Sequence, residues 1–166
     1  MEITTAEGFL KYLDSVRGRT LLVIERIPPD RIEWTHQPGK WTFGNLIRHL
    51  GALERWMWAE NVAGRPSRYR GCGIDLAEGY DEVVAYFGRM HAESIPIFGS
   101  LSDEALRAKC TTPAGVEMTT WKWLRAMIEH EIHHRGQMFT YLRILGVDPG
   151  ALFGLTSEQV AERGVE

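Results

Sequence analysis

The sequence predicts an all-α fold, a single four-helix-bundle domain over residues 1–166. Four segments carry apolar residues at the three- and four-residue spacing of amphipathic helices. Proline and glycine mark the connections between these segments. No segment shows the alternation of β-branched residues that is typical of a β-sheet. A chain of 166 residues is also long enough to bury one substantial core.

The first two predicted helices run over residues 6–27 and 43–62. Pro28 ends the first, because proline has no N–H to donate and disfavours helix in the residue before it. Thr42 is the expected N-cap of the second. Around the axis of this helix, the centre of the apolar face lies about 80° from His49. His49 is therefore expected on the flank of the buried face.

The other two predicted helices run over residues 79–98 and 119–145. The connection 64–78 is long for a helical bundle, and an extended chain of that length could run the full length of a helix. This crossover means that the second and third helices need not be antiparallel neighbours. The connection 99–118 is also long and is expected to contain one further helical turn, and the tail is expected to form a short helix from Ser157.

Composition and charge exclude several classes of protein. The net charge is −3 and the pI is near 6.1, so no basic footprint for nucleic acid is present. Apolar stretches are short, and the amino-terminal residues lack the basic and apolar regions of a signal peptide. Cys72 and Cys110 lie far apart and form no motif, which predicts free thiols. We therefore expect a cytoplasmic protein without nucleic-acid or membrane partners.

Three histidines lie within five residues of the fourth predicted helix. His130 and His134 are four residues apart and edge the apolar face, whereas His133 turns away at about −60°. A pair at this spacing offers two imidazoles to one ion, and His49 on the second helix supplies a third. The sequence therefore predicts a site for one divalent metal ion at His49, His130 and His134. The remaining two histidines lie alone on other segments and are predicted to be structural: His36 and His91.

The segment His130-Glu131-Ile132-His133-His134 also matches H-E-x-x-H, in which the glutamate is the general base of a metalloprotease. Such enzymes need a third ligand, and no histidine follows His134. Glu131 itself falls in the middle of the apolar stripe, where an unpaired carboxylate is costly. It is therefore a candidate general base, a candidate partner of a ligand histidine, or half of a buried ion pair with Arg48 or Arg135.

Two motif blocks resemble the DinB family of DinB/YfiT-like metalloenzymes. The first is WTFGNLIRHLGALERW at 41–56, and the second is WLRAMIEHEIHHRGQMFTYLRILG at 123–146, with H-x-x-x-H-R-G-Q at its centre. The resemblance implies an up-down-down-up four-helix bundle with three histidine ligands to nickel or zinc. At the matching positions these ligands are His49, His130 and His134. It also implies a homodimer.

The resemblance extends to thiol-dependent enzymes of the family, the mycothiol-dependent maleylpyruvate isomerases and the bacillithiol-type S-transferases. We therefore expect an enzyme that uses a divalent ion and a low-molecular-weight thiol on a small-molecule substrate. Three neutral imidazoles leave the ion its full charge, which lowers the pKa of a bound water or thiol. The alternatives are a metal-dependent hydrolase using Glu131 and a non-catalytic helical protein with a structural metal. Trp56, about 20° from His49 around the helix axis, is a candidate to line a pocket.

Overall fold

Six helices, two single-turn 3₁₀ helices (Pro29–Arg31 and Ile74–Leu76) and one small β-hairpin make up the secondary structure of the computed structural model, which describes residues 2–164. The expected domain of 1–166 thus includes Met1, Val165 and Glu166, which lie outside the described residues. The prediction of an all-α four-helix bundle is confirmed. Within the described residues, no helix has the length and apolar character needed to cross a bilayer. In chain order the helices are α1 (Ala6–Ile24), α2 (the consecutive segments Phe43–Leu53, Glu54–Trp58 and Ala59–Val62), α3 (Tyr80–Gly99), the short α4 (Asp103–Arg107), α5 (Thr120–Ile144) and the short α6 (Ser157–Glu162).

Helices α2 and α3 are packed side by side and run in the same direction. Gly51 faces Phe87, and one turn further along both helices Glu54 accepts a hydrogen bond from His91. The residue numbers of contacting pairs therefore rise together along the two helices. A parallel pair needs a crossover as long as the helix itself, which is the role of the connection between α2 and α3.

The other two long helices run in the opposite direction to α2 and α3. Phe9, near the start of α1, packs edge-on against Phe98 near the end of α3, with ring centroids 5.4 Å apart. Trp58, near the end of α2, lies 5.5 Å from Trp123 near the start of α5. The bundle is consequently up-down-down-up, as expected from the family resemblance.

A polar layer divides the apolar core into two large clusters. One cluster lies where α1 ends and α2 begins and includes Ile24, Phe43 and Phe87, and the other lies at the opposite end and includes Phe9 and Leu124. Between them α1, α2 and α5 contribute buried polar side chains. Such groups are tolerated in a core only when they are paired or bound to an ion. These polar side chains are Arg17, Thr20, His49, Glu54, Glu131, His134 and Arg135.

A two-stranded hairpin precedes α5, although no strand was predicted from the sequence. Strands β1 (Lys109–Thr111) and β2 (Glu117–Thr119) pair antiparallel, with Cys110 opposite Met118. The turn between them contains Gly115 at φ 74°, a conformation that glycine adopts without steric cost. Three-residue strands are too short to produce a period-two pattern, which explains the omission.

The sequence predicts the start of α2 correctly but places the end of α1 three residues too late. Thr42 is the N-cap of α2 as predicted, and it forms a reciprocal capping box with Asn45. Helix α1 ends at Ile24, three residues before the predicted end. Residues 25–27 instead form a tight turn, with the amide of Ile27 bonded to the carbonyl of Ile24. Proline disfavours α conformation in the residue before it, so the chain leaves the helix early.

Candidate metal centre

The imidazoles of His49, His130 and His134 meet in the polar layer between α2 and α5. The Nε2 atom of His130 lies 3.2 Å from that of His49 and 3.1 Å from that of His134. Ligand atoms of all three lie within 4.8 Å of one another, so they could hold a metal ion. Three nitrogens bound tetrahedrally at about 2.0–2.1 Å from zinc are about 3.3 Å apart, close to the separations here. The three residues predicted from spacing are thus brought together.

Hydrogen bonds at the far side of two rings orient these imidazoles. The Nδ1 atom of His134 lies 3.0 Å from Oε1 of Gln137, and Nδ1 of His49 lies 2.7 Å from the hydroxyl of Tyr69. An amide oxygen only accepts, so Nδ1 of His134 donates and its Nε2 keeps a free lone pair. A His49 that binds a metal through Nε2 would likewise donate from Nδ1 to the Tyr69 hydroxyl, because Nε2 then carries the free lone pair. Lone pairs that converge in this way repel one another unless a cation lies between them, and the donor set therefore fits a metal ion.

Burial keeps the three imidazoles neutral. Desolvation, together with the neighbouring histidines, lowers the pKa of His49 to about 3 and that of His130 to about 4. Desolvation also lowers the pKa of His134, against the opposing effect of its bond to Gln137. Neutral imidazole is the form that binds a metal, because the ion and a proton compete for the same lone pair.

Aromatic rings surround the cluster. The ring of Trp41 lies 4.5 Å from that of His49 and is partly exposed, and Trp58 lies 5.1 Å from His130. A π-helical turn at Glu54–Trp58 inserts one extra residue into α2 and rotates the following residues by about 100°. It is therefore Trp58, and not Trp56, that faces the histidines. Trp56 lines a separate recess on the other side of α2.

Glu131 lies in the core on the side of α5 that faces α1. Its Oε2 atom is 3.0 Å from Nη2 of Arg17, which also forms an ion pair with Glu54. The carboxylate is thus half of a buried ion pair, but its partner is Arg17 and not Arg48 or Arg135 as proposed from the sequence. Those two arginines have other partners: the carboxylate of Glu33 for Arg48 and the carbonyl of Val16 for Arg135.

The remaining histidines lie outside the cluster. Nδ1 of His91 donates to the Glu54 carboxylate at 2.8 Å, which fits its predicted structural role, and His36 lies against Tyr141. His133 is exposed beside His134. Sequence reasoning missed the orienting roles of Tyr69 and Gln137. Gln137 could have been found from its position three residues after His134, whereas Tyr69 lies on the crossover, where no spacing rule places it.

A four-helix bundle with histidines from facing helices converging in its core has the architecture of helical metal-binding proteins. The sequence-family model of the DinB superfamily matches residues 12–138, and the chain therefore belongs to this superfamily. No curated protein matches the chain.

Solved structures show the same fold. A DinB-like protein from Bacillus cereus ATCC 10987 superposes with a TM-score of 0.74 at 18% identity, over 89% of this chain and 97% of that one. A DinB-like protein from Bacillus subtilis gives a TM-score of 0.67 at 21% identity, over 84% of this chain and 92% of that one. A four-helix-bundle protein, TT2238, gives a TM-score of 0.63 at 24% identity, over 82% of this chain and 99% of that one.

Replacing Tyr69 by phenylalanine is expected to weaken metal binding by about tenfold, because the hydroxyl that orients His49 is lost. Competition against a chromophoric chelator measures the affinity. The matched control is Tyr12→Phe, which removes a hydroxyl from an exposed tyrosine on α1. Equal affinities for the two variants would show that the Tyr69 hydroxyl does not orient the ligand.

The metal-free protein is expected to lose stability as the pH falls from about 6.5 toward 4. The folded-state pKa values of His49 and His130, about 3 and about 4, lie below the ordinary value of 6.5. In this window the unfolded chain binds more protons, so stability rises with pH and is fully present above about 6.5. Urea unfolding at a series of pH values measures it. His130→Gln should reduce the dependence of the free energy of unfolding on pH, and His133→Gln should not. An equal pH dependence in the two variants would contradict the explanation.

Proposed function

We propose that the chain binds one divalent metal ion, nickel or zinc, through His49, His130 and His134, and that it is a metal-dependent enzyme of the thiol-transferase type. The observation that carries the proposal is the convergence of three neutral imidazoles, with two of them oriented by hydrogen bonds on the opposite ring nitrogen. A structural zinc site normally has four protein ligands, and a catalytic site has three. The donor set of three thus favours a centre that accepts an exogenous group.

When bound, the ion would supply positive charge that favours ionisation of a low-molecular-weight thiol, a ligand suited to nickel and zinc. The residues of the chain prepare the site for this chemistry. Tyr69 and Gln137 hold His49 and His134 in the orientation that presents Nε2. Trp41 and Trp58 surround the cluster with apolar surface, which limits the access of water and suits an apolar electrophile as the second substrate.

The hydrolase alternative would make Glu131 a general base. A general base must lie within hydrogen-bond reach of the water that it activates. The Glu131 carboxylate instead lies in the core against Arg17, and burial raises its pKa. These contacts favour a structural role for Glu131. The third alternative, a purely structural metal, is disfavoured by the three-ligand donor set.

A cobalt(II) titration tests the proposed chemistry. Cobalt-loaded protein is expected to show the d–d spectrum of a centre with fewer than four protein ligands. Addition of a small thiol such as 2-mercaptoethanol should produce a sulfur-to-cobalt charge-transfer band that saturates. The His130→Ala variant serves as the matched control and should show neither signal. A spectrum that indicates a closed shell of four protein ligands and does not respond to thiol would contradict the proposal and favour a structural metal.

The proposal extends to partners and location. We propose a small-molecule substrate, a cytoplasmic protein with free cysteines, and a homodimer of the full chain. Cys72 and Cys110 are both free thiols in the structure. Light scattering at micromolar concentration measures the oligomeric state, and a monomeric mass would contradict the dimer.

A further inference from the structure

A recess of about 260 Å³ lies between α2, α3 and the crossover that joins them. Its apolar lining comes from both helices and from the crossover: Ala52, Trp56, Leu76 and Tyr86. Gly71 and two arginines of the crossover, Arg68 and Arg70, complete the lining. None of the three histidines of the candidate metal centre contributes to it. The recess therefore combines apolar surface with cationic side chains at a place distinct from that centre.

Hydrogen bonds with α2 hold the backbone of crossover residues 68–72 at both ends of this segment, beside the recess. At one end the amide of Arg68 donates to the carbonyl of Trp56 at 2.7 Å. At the other end Nε of Arg48, which is fully buried, donates to the carbonyl of Cys72 at 3.0 Å. Anchoring on two sides makes the recess a preformed feature, so a ligand would not have to order the segment on binding.

The arginines at this recess exceed the carboxylates that face them. Arg68 lies 4.5 Å from the centre of the Trp56 ring, and its Nη2 is 3.1 Å from Oε1 of Glu60. Glu60 already pairs with two further arginines, and among residues 2–164 no carboxylate lies within salt-bridge distance of Arg70. The charged groups around the recess are Arg55, Arg68, Arg70 and Arg89 against Glu60, Asp75 and Glu93.

We propose that this recess binds a small organic anion, a carboxylate or phosphate ester with an apolar body. The anionic group would meet the guanidinium groups of Arg68 and Arg70, which are suited to bidentate binding of such groups. The apolar body would pack against Leu76 and the ring of Tyr86.

The crossover sequence separates this ligand site from the candidate metal centre. Arg68 and Arg70 line the recess, whereas Tyr69 between them bonds Nδ1 of His49. The Nε2 atom of His49 points the other way, toward His130. The recess thus lies on the Nδ1 side of His49, away from the Nε2 atoms of the candidate metal centre. The proposal therefore does not depend on metal binding or on thiol transfer.

Isothermal titration calorimetry of the full chain with three probes tests the proposal: benzoate, phenyl phosphate and the neutral benzyl alcohol. At constant low ionic strength we expect saturable one-to-one binding of at least one anion and none of the alcohol. The tighter of the two anions identifies the preferred anionic group. Arg70→Met should weaken binding about tenfold, because an ionic hydrogen bond is lost from a partly exposed site. The matched control, Arg107→Met on α4, should leave binding unchanged.

A second variant distinguishes this recess from the metal centre. His130→Ala should retain anion binding, and in NMR spectra the amide shifts caused by the anion should fall at residues 68–71. The proposal is overturned if neither anion binds, if benzyl alcohol binds as tightly as the anions, or if Arg70→Met binds like Arg107→Met. Loss of binding in His130→Ala would overturn it as well, because the anion would then be a ligand of the histidine cluster.

Discussion

Replacing His49, His130 or His134 by alanine is expected to lower the affinity for a divalent ion by at least about 100-fold. A structural site with four ligands binds zinc with a free energy of about 12 kcal/mol. Each ligand therefore contributes about 3 kcal/mol, which corresponds to a factor of about 100 in affinity. The three imidazoles form one cluster, and each variant leaves only two nitrogen ligands. Elemental analysis of purified protein, followed by competition with a chelator, measures the loss.

His133→Ala is the matched control for these variants. His133 lies on the same helix directly before His134, but its side chain is exposed and outside the cluster. The variant should therefore retain the metal. Circular dichroism of each variant shows whether the bundle is intact. If His133→Ala lost the metal and His130→Ala retained it, the ligand assignment would be wrong.

Replacing Arg17 by methionine is expected to lower the free energy of unfolding by about 3–5 kcal/mol, the cost of leaving buried charge uncompensated. The Arg17 guanidinium pairs with the carboxylates of both Glu54 and Glu131, and all three side chains are almost completely buried. It also lies 4.0 Å from the centre of the Phe87 ring. Methionine would fill much of the space but would leave two carboxylates without their cation. Urea denaturation measures the effect.

Partial rescue distinguishes lost charge pairing from lost packing. Adding Glu131→Gln to Arg17→Met removes one unpaired carboxylate, and it should restore part of the stability. The matched control is Arg107→Met. The Arg107 side chain is exposed, and its nearest carboxylate, that of Glu104, is as far away as 4.0 Å, so the change in the free energy of unfolding should be close to zero. A double variant no more stable than Arg17→Met alone would show that packing accounts for the loss.

Helical periodicity alone was sufficient to predict the four long helices and the metal-ligand candidates. His130 and His134 share a face because they are four residues apart, and this relation is local. The contact between His49 and that pair depends on the packing of α2 against α5. The position of His49 on the flank of an apolar face nevertheless indicated that it would lie near the pair. Features that depend on local spacing could thus be read directly from the sequence.

The features that were missed depend on contacts between distant segments or on a local irregularity. Arg17 and Glu131 are more than one hundred residues apart, so the sequence pointed to Arg48 and Arg135 as partners of the glutamate and not to Arg17, which contacts it only because α1 packs against α5. Tyr69 reaches His49 from the crossover. The π-helical turn displaced Trp56 from the histidine side of α2, because an angular projection assumes uninterrupted α-helix.

X-ray absorption spectroscopy of the metal-loaded protein tests the central claim most directly, namely a centre with three histidine ligands and an accessible coordination position. For zinc we predict three imidazole nitrogens at about 2.0–2.1 Å, and one sulfur at about 2.3 Å after addition of a small thiol. A shell that contains four protein ligands, or a carboxylate in place of an imidazole, and that gains no sulfur would contradict the claim.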